Sequence, residues 1–554
     1  MNSLEIRINN QFNKLNIEIQ QEGFFEDKIV VDKPENIKYI FYSLCKNNKF
    51  TEKLTSPEIF LKENDGIIVV VSRNYLKIYV DKLRTVPLYI YKKDNEVIIF
   101  SDFNSFYEKN LDKNVDVIGF WENLIFENPL GERTLFKYVK QFTFASVAIF
   151  DKNLDYKFEK YWTFSLPKIN IKNEDEAVEI LNTHLNRIFS SLNPSDKYLF
   201  AISGGVDSRL TLAVMNRFIP YKNLSLMTFG YDERIREYQY AKEVAKALGY
   251  KKPIFHKLIA ESYTISLKPL IRKAASMIGV QHCHMYDFLR SNHIGNDDYM
   301  ISTTYSDPVF GWAVNLKTKF DDNNEIEYTS QYNKVKKFCK KYNINSDIEE
   351  KIIEDLKKIY NLWIESTVDS FEEFFYHFER NIKFHINYTH ILADSIKLIC
   401  PFFDLGLIEY SFSLPAKYRY RKKIINLFID KYFPELSRMR NISSSSLFQK
   451  PRKPQKGEIT FDFIKFKILN RINVLLSILS CDRVQIFNEY ITENQGVNIR
   501  HYHRKLFIES LKKLKSTGLL NEQQIKLFKG KPYRANLINL QYQIISMKQA
   551  LCEE

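Results

Sequence analysis

The sequence lacks the features of a secreted or membrane-spanning protein. Its six cysteines lie far apart and show no paired spacing of the kind found in disulfide frameworks or zinc sites. Residues 1–20 mix charges and amides, without the basic start and apolar core of a signal peptide. No run approaches the roughly 18 apolar residues that a membrane helix requires. We therefore expect a soluble, cytoplasmic protein without a membrane partner.

The net charge of +14 does not by itself indicate a nucleic-acid partner. Lysine and arginine are spread along the whole chain and are diluted by 67 acidic residues, whereas nucleic-acid binders cluster their basic residues. The positive field instead favours small anions such as nucleotides. A hydrophobic share of 45%, with 43 Phe and 34 Tyr, is typical of a folded protein. The oligomeric state stays open, and a homodimer is one option.

At 554 residues the chain is too long for one ordinary core, and we expect two or three domains. The first part contains short apolar segments rich in β-branched and aromatic residues, separated by turn residues such as Lys93-Asp94-Asn95. This pattern predicts an antiparallel, β-rich, sandwich-like domain over residues 1–165. The segments are residues 66–71, 75–80, 88–91, 96–100 and 145–150.

The spacing of apolar residues changes near Asn173, and a helical pattern begins at Glu174. Short apolar strands then alternate with helices, which predicts a parallel sheet covered by helices on both faces. The predicted class is α/β, with the parallel-sheet domain over residues 175–455. Beyond about Asp347 the pattern is mostly helical, and residues 456–554 are expected to form a helical C-terminal extension. The predicted strands are residues 198–202, 224–229 and 254–258.

A glycine-containing loop follows the first of these strands directly and precedes an apolar helix. The glycine loop, as we call it, is Ser203-Gly204-Gly205-Val206-Asp207-Ser208. Its glycines let the backbone turn tightly, and the free amides at the helix start favour negative oxygens. Its serines can donate further hydrogen bonds, and Asp207 is placed to hold a Mg²⁺ ion that bridges phosphates. The lysine of a Walker loop is absent, so ordinary γ-phosphoryl transfer is not expected.

The glycine loop resembles the PP-loop of asparagine synthetases and their relatives, enzymes that cleave ATP between the α and β phosphates. Three later segments resemble further motifs of this family and occur in the same order. They are Ser225-Leu-Met-Thr-Phe-Gly230, Met300-Ile-Ser-Thr-Thr-Tyr-Ser-Asp307, and Pro401-Phe-Phe-Asp404 with Leu414-Pro415, Lys422 and Phe433-Pro434. The resemblance is most specific at the glycine loop.

The resemblance implies ATP and Mg²⁺ as cofactors. It implies that the glycine loop cradles the pyrophosphate, and that Asp207 and Asp307 are catalytic residues and magnesium ligands. The strand segment Thr228-Phe229-Gly230 is expected to lie against the adenine. The alternative for Asp307 is a loop cap. For Asp404 we favour a structural role at the start of a helix.

The first domain resembles the glutaminase half of the same enzymes. The matching residues are Asp81, Arg84, Pro87-Leu88-Tyr89 and Phe100-Ser101-Asp102, followed by Thr134-Leu-Phe-Lys137 and Tyr161-Trp162. A working glutaminase of this class uses a cysteine that becomes N-terminal once Met1 is removed. Here Asn2 stands at that place, and the first cysteine is Cys45. The resemblance implies a degenerate class II glutamine amidotransferase-like domain that does not hydrolyse glutamine.

Two departures from the family pattern concern the substrate and the pyrophosphate site. Asparagine-forming members carry a glutamate three residues before the magnesium-binding aspartate, whereas this chain has Thr304. β-Lactam-forming relatives carry a tyrosine there, and Tyr305 lies one position away. The lysine that relatives place after the Phe433-Pro434 motif has no clear counterpart, and we look for it in the run 450–456. The sequence does not identify the amino-acid substrate.

Together, the residues and the resemblance predict an ATP-dependent ligase. A carboxylate of a small molecule or peptide attacks the α-phosphorus of ATP, which gives an acyl-adenylate and pyrophosphate. An amine or ammonia then displaces AMP and forms an amide. Two alternatives remain: a genuine asparagine synthetase that uses free ammonia, and a nucleotide-binding scaffold without catalysis.

Other histidines and cysteines are not expected to carry chemistry. The run His282-Cys283-His284 lacks the partner cluster that would close a zinc shell. His501 and His503 are interpreted as surface residues, and Cys400 as a residue of the core.

Overall fold

The computed structural model describes most of the chain, and every structural statement below concerns the part that it describes. This part comprises residues 3–11, 14–22, 26–32, 38–43, 56–72, 75–230, 232–275, 277, 284–291, 298–311, 313–314, 326–439, 468, 472, 476, 497–529 and 535–552. The run 450–456, in which the sequence analysis looked for a lysine, lies outside these residues, as do His282 and Cys283. The domain limits stay predictions.

The first part of the chain forms two antiparallel sheets. Their strands are β1 (Ser3–Gln11), β2 (Lys14–Glu22), β3 (Glu26–Asp32), β4 (Lys38–Ser43), β5 (Ile67–Val71), β6 (Leu76–Val80), β7 (Tyr89–Lys93), β8 (Glu96–Phe100), β9 (Val139–Gln141), β10 (Ser146–Phe150) and β11 (Tyr156–Lys160). One sheet has the order β2-β1-β8-β7-β9 and the other β11-β10-β6-β5-β4-β3. The five strands predicted from the alternating pattern are confirmed as β5 to β8 and β10.

The two sheets enclose a shared apolar core. Alternate residues of β8 point to opposite sides of the sheet, so that Val97 and Ile99 enter this core. Ile78 enters it from β6 in the other sheet. The neighbouring residues Ile98 and Phe100 pack into a second core, which continues into the rest of the chain. The architecture is therefore a β-sandwich, as the sequence pattern indicates.

A parallel sheet forms the central part of the chain, which confirms the predicted α/β class. Its strands are β12 (Tyr198–Ala201), β13 (Leu224–Gly230), β14 (Ile254–Lys257), β15 (Tyr299–Ile301) and β16 (Lys397–Ile399). They lie in the order β14-β13-β12-β15-β16, and every pair is parallel. Phe200 and Leu199 of β12 pack into different cores, so both faces of the sheet are covered.

Helices surround the sheets and make up most of the described chain after residue 326. They are α1 (Pro57–Glu63), α2 (Asn104–Glu108), α3 (Val117–Phe126), α4 (Glu174–Ser190), α5 (Val206–Met215), α6 (Arg236–Ala247), α7 (Ala260–Ala274), α8 (His284–Ser291), α9 (Ser306–Val309), α10 (Ser330–Tyr342), α11 (Ser346–Ile364), α12 (Phe371–Phe374), α13 (Ile382–Leu392), α14 (Leu405–Ser413), α15 (Ala416–Arg419), α16 (Lys423–Tyr432), α17 (Pro434–Ser437), α18 (Val497–Ser516), α19 (Glu522–Lys529) and α20 (Ala535–Cys552). A π-helical turn, Phe375–Asn381, joins α12 to α13. Strand β16 lies within this region, which is mostly helical, as predicted.

A buried ion-pair network joins the first sheet to the central part of the chain. The ammonium of Lys273 in α7 lies 3.0 Å from a carboxylate oxygen of Asp102 and 3.0 Å from one of Asp394. The side chains of Lys273 and Asp102 are only 5% and 1% exposed. Burial raises the pKa of Asp102, and the ammonium of Lys273 opposes that shift. Each charge is therefore compensated inside the protein and not by water.

Replacing Lys273 by methionine should destabilise the fold strongly. The substitution leaves the carboxylates of Asp102 and Asp394 without their cation, and breaking a buried pair on one side costs about 3–5 kcal/mol. Urea unfolding measures the loss. The matched control is Lys268→Met, an exposed lysine of the same helix, which should change the free energy of unfolding by less than about 0.5 kcal/mol. Equal stabilities of the two variants would contradict the role given to the network.

The structure also bears on the predictions made for membrane helices, Cys400 and His503. No helix in the described part of the chain is long and apolar enough to cross a membrane. Cys400 is half-buried and packs against the main core, and burial raises the pKa of its thiol to about 12. The interpretation of His503 as a surface residue is wrong, because its side chain is only 3% exposed. It lies in α18, which packs against α7 and α20, and burial lowers its pKa to about 4.

Candidate active site

The glycine loop lies where the strand order of the parallel sheet reverses. Strand β12 has β13 on one side and β15 on the other, so the chain moves away from β12 in one direction and later returns on its opposite side. Such a reversal opens a crevice at the carboxyl ends of the two central strands, where open α/β sheets bind ligands. The glycine loop follows β12 and residues 302–307 follow β15. The topology therefore brings together the two loops in which the sequence predicted site residues.

Hydrogen bonds within the glycine loop fix its shape. The hydroxyl of Ser208 accepts a bond from the amide of Ser203 at 3.2 Å, and the hydroxyl of Ser203 accepts one from the amide of Gly205 at 3.1 Å. No side chain caps the start of α5, and no described residue accepts a hydrogen bond from the amides of Val206 and Asp207. These amides, at the positive end of the helix dipole, can hold an anion.

Lys422 lies between the two carboxylates that the sequence predicted as site residues. Its ammonium contacts one oxygen of Asp207 and one oxygen of Asp307. The side chains of Asp207 and Lys422 are each 17% exposed, whereas that of Asp307 is 52% exposed. Burial raises the pKa of Asp207, and Lys422 opposes this shift. Burial would lower the pKa of Lys422, but the two carboxylates outweigh it and raise that pKa, so the ammonium stays charged.

The sequence analysis gave Lys422 no role and looked for a lysine in the run 450–456. A signal was present, because Lys422 belongs to the C-terminal segment that resembles the family. It lies 215 positions from Asp207 and 115 from Asp307. Sequence spacing alone cannot reveal such a contact.

The backbone that presents Lys422 adopts an unusual conformation. Arg421 and Lys422 both have left-handed dihedrals, with φ of 54° and 59°, which residues with a Cβ rarely adopt. The segment is anchored just before them by Arg419, whose guanidinium is fully buried and pairs with Asp369 at 2.9 Å and with Glu373. Strain of this kind persists only where the surrounding structure imposes it. Here it holds Lys422 at the two carboxylates.

Gly311 packs directly against this segment. It has φ of +85°, and a Cβ built there would lie 2.6 Å from the carbonyl oxygen of Arg419. Contacts below about 3 Å do not occur for real Cβ atoms, so any side chain at position 311 must displace the backbone of Arg419. The backbone shortly after Asp307 and the backbone shortly before Lys422 thus approach each other closely.

Gly311→Ala should cost more stability than the same change at a comparable glycine without a neighbour. The left-handed backbone alone costs about 1–2 kcal/mol for alanine, and overpacking adds about 1–3 kcal/mol. Gly249→Ala is the matched control, since Gly249 has φ of +82° and nothing within 4 Å of an added Cβ. Thermal unfolding of the two variants isolates the contact with Arg419. Equal losses would show that this contact is unimportant.

Neither Thr304 nor Tyr305 presents a free base to the crevice. The hydroxyl of Thr304 lies 2.6 Å from that of Ser302. Tyr305 has φ of 78°, is 1% exposed, and places its hydroxyl 3.1 Å from the ring nitrogens of His377. Its ring stacks on Phe403 with the centroids 4.7 Å apart. Tyr305 is therefore a residue of the core beneath residues 302–307.

The segment Thr228-Phe229-Gly230 forms the end of β13, beside the glycine loop. The hydroxyl of Thr228 is buried and donates a hydrogen bond to the carbonyl of Ile202 at 2.6 Å, so it supports the strand that leads into the loop. Phe229 is half-exposed and packs against His284, with the ring centroids 4.0 Å apart. A Cβ at Gly230 would lie 2.3 Å from the side chain of Ile235. Of the three, Phe229 is the one whose side chain remains accessible.

Asp404 has the structural role that the sequence favours. It caps α14, because its carboxylate accepts a hydrogen bond from the amide of Leu407 at 2.8 Å. The same oxygen pairs with Arg187 of α4 at 2.5 Å. Asp404 thus orients a helix and ties it to a neighbour.

Residues 195–436 match the family model described as asparagine synthase. This part of the chain is an asparagine synthase domain. It contains the parallel sheet, the glycine loop, Asp307 and Lys422. The family comprises amide-forming ligases that use ATP, generally with Mg²⁺. The resemblance stated from the sequence is confirmed for this part of the chain.

Comparison with other proteins adds little to this assignment. The chain matches no curated protein sequence. Among solved structures it is similar to a glutamine phosphoribosylpyrophosphate (PRPP) amidotransferase from B. subtilis, complexed with ADP and GMP, at 8% sequence identity and a TM-score of 0.17. The match covers 42% of this chain and 61% of that one. A similarity with so low an identity and TM-score supports no conclusion about this chain.

The carboxylates of the asparagine synthase domain suit a magnesium ion. The Oδ1 atom of Asp207 is buried and has no hydrogen-bond partner among the described residues. Buried carboxylate oxygens are normally bonded, so an oxygen of this kind calls for a ligand. Mg²⁺ prefers oxygen ligands and is commonly held by one or two carboxylates together with phosphates. Asp207 and Asp307, which both contact Lys422, are carboxylates that could hold such an ion.

Proposed function

We propose that the chain is an ATP-dependent ligase that activates a carboxylate as an acyl-adenylate and then forms an amide bond. The observation that carries the proposal is the convergence of the glycine loop with Asp207, Asp307 and Lys422 at one crevice of the asparagine synthase domain. Open amides and a separate lysine suit the departure of a diphosphate. Nothing in this arrangement requires the lysine of a Walker loop.

In the first step, an oxygen of the substrate carboxylate attacks the α-phosphorus of ATP. Pyrophosphate leaves with the electron pair of the broken P–O bond. The amides at the start of α5 would hold the departing oxygens, and they cost no reorganisation because the loop is already fixed. The hydroxyls of Ser203 and Ser208 are engaged within the loop. We therefore give the serines the task of keeping the amides in place.

Lys422 would meet the charge that develops on the departing pyrophosphate. Without nucleotide, its ammonium is held by Asp207 and Asp307. If Asp207 and Asp307 held magnesium, they would no longer hold the ammonium of Lys422, which could then turn toward the phosphates. Bound Mg²⁺ would supply Lewis-acid stabilisation of the phosphate oxygens.

In the second step, a nitrogen nucleophile displaces AMP. We propose free ammonia or an amine of the substrate as its source, because Asn2 stands where a glutaminase of this class has its cysteine. The acid is a small molecule or a peptide carboxylate. A cytoplasmic location and a homodimer stay predictions from the sequence.

The proposal is tested by incubating the full chain with ATP, Mg²⁺ and pools of amino acids and other carboxylic acids. We expect AMP and pyrophosphate in equal amounts, released in response to one pool. Release of ADP, or no nucleotide turnover with any pool, would contradict the proposal. Asparagine formed from aspartate and ammonium would identify an asparagine synthetase. ATP binding without exchange of labelled pyrophosphate would instead favour a scaffold.

A further inference from the structure

Arg84 is a buried cation whose hydrogen-bond donors have no partner in the described part of the chain. It lies in the turn between β6 and β7, and it is 0% exposed. None of the three nitrogens of its guanidinium has a hydrogen-bond partner among the described residues. The guanidinium lies over the ring of Tyr89, 5.3 Å from the centroid, but a ring carries no net charge. Buried charges are normally paired and hydrogen-bonded, so Arg84 calls for a ligand.

A second buried donor lies beside the same tyrosine. The hydroxyl of Tyr89 donates a hydrogen bond to the Oδ1 atom of Asn387 at 3.1 Å. The Nδ2 atom of Asn387 is buried and has no partner among the residues that the structure describes. Asn387 belongs to α13, whereas Arg84 precedes β7. Two distant parts of the chain therefore bring N–H groups to one buried place, and a ligand there must accept hydrogen bonds.

The carboxylates nearest to this place are bound by other groups. Asp81, three residues before Arg84, accepts hydrogen bonds from the amides of residues 66, 83 and 85. Asp102 pairs with Lys273. None of these carboxylates contacts the guanidinium of Arg84.

The other charges on α13 and the π-helical turn do not supply the missing anion either. Glu379 pairs with Lys383 at 2.7 Å, and both side chains are buried. Burial lowers the pKa of Lys383 most strongly, Glu379 opposes that shift, and the positive charge of Arg84 adds to it. Glu379 is thus engaged by a cation of its own, and the charge of Arg84 is felt at that pair.

We propose that Arg84 and Asn387 form a buried binding site for one small monovalent anion, such as chloride or bicarbonate. The guanidinium has five N–H groups in a rigid plane, which can hold a halide or grip two oxygens of an oxyanion. Water could accept the same hydrogen bonds, but only an anion also compensates the buried charge. Complete burial of Arg84 favours an ion over a larger molecule. The proposal does not depend on the proposed ligase activity.

Crystals of the full chain soaked in sodium bromide test the site directly, because bromide replaces chloride and gives an anomalous signal. We expect an anomalous peak in contact with the guanidinium of Arg84 and the Nδ2 atom of Asn387. In a second soak with excess sodium bicarbonate, a persisting peak identifies a halide site, and planar density in its place identifies bicarbonate. Density without an anomalous signal in the first soak and without a planar shape in the second would be water and would overturn the proposal.

Thermal unfolding tests the same site in solution. Sodium chloride or sodium bicarbonate should raise the unfolding midpoint of the wild type by at least about 2 °C over sodium gluconate at equal ionic strength, because only the folded chain has the site. Arg84→Met should still fold, since an apolar side chain often replaces a buried charge without loss. Its midpoint should be the same in the three salts.

The matched control is Arg290→Met, which removes the same charge from an exposed position at the end of α8. It should keep the salt response of the wild type. An equal response in the wild type and Arg84→Met would overturn the proposal. If Arg84→Met does not fold, the bromide soak of the wild type decides alone.

Discussion

Asp207→Asn should lower the rate of pyrophosphate exchange into ATP by at least ~1000-fold. The two oxygens of Asp207 have separate tasks, since one contacts Lys422 and the other is buried without a partner. The side-chain amide of asparagine carries no charge and has one acceptor oxygen, so it cannot serve both Lys422 and a magnesium ion. The loss should therefore appear in the rate of exchange, measured at saturating ATP and Mg²⁺.

Asp404→Asn is the control for this substitution. Asp404 caps α14, and asparagine is about as good an N-cap as aspartate. Exchange should therefore remain within about twofold of wild type. An unchanged rate of pyrophosphate exchange in Asp207→Asn would contradict the proposed role of this carboxylate in holding Lys422 and magnesium.

Lys422→Met should lower the rate of exchange by about 100-fold or more, a loss typical of removing one group that stabilises developing negative charge. The matched control is the next residue, Lys423, which is 44% exposed and pairs with Glu174 at the surface. Surface pairs of this kind contribute little, so Lys423→Met should leave exchange near wild type. Comparable losses of exchange in the two lysine variants would show that Lys422 does not act on the departing pyrophosphate.

The Lys422 substitution also changes how magnesium binding depends on pH. Lys422 opposes the rise that burial causes in the pKa of Asp207. Without Lys422 that pKa should rise further, and a carboxyl must be ionised to hold a metal. Magnesium-dependent ATP binding by Lys422→Met should therefore weaken more than that of wild type when the pH is lowered from about 8 to about 6. An identical pH response of the two proteins would contradict this coupling.

The sequence predicted the glycine loop because the features that define it lie close together along the chain. The glycine loop follows a buried strand and opens a helix, and all these features lie within a few residues. The alternating strands of the sandwich are local in the same sense, because a period of two reflects the pleat of a strand. The parallel sheet followed from the alternation of strands and helices.

Features that depend on tertiary packing were not predicted. Strand β16 has only three residues and is half-exposed, so it gives no periodic signal. His503 is buried because α18 packs against α7, α19 and α20, and a short stretch of sequence cannot show such packing. The role of Lys422 depends on two left-handed residues and on Gly311, whose contact with Arg419 spans more than a hundred positions. Sequence analysis quoted Lys422 in a motif, but only the fold shows what it contacts.

A crystal structure of the full chain with ATP and Mg²⁺ tests the central claim most directly. We expect phosphate oxygens within hydrogen-bond distance of the amides of Val206 and Asp207, and a metal ion held by Asp207 and Asp307. Lys422 should have turned from the two carboxylates to the phosphates. A nucleotide bound elsewhere, with Lys422 still between Asp207 and Asp307 and the glycine loop empty, would contradict the account.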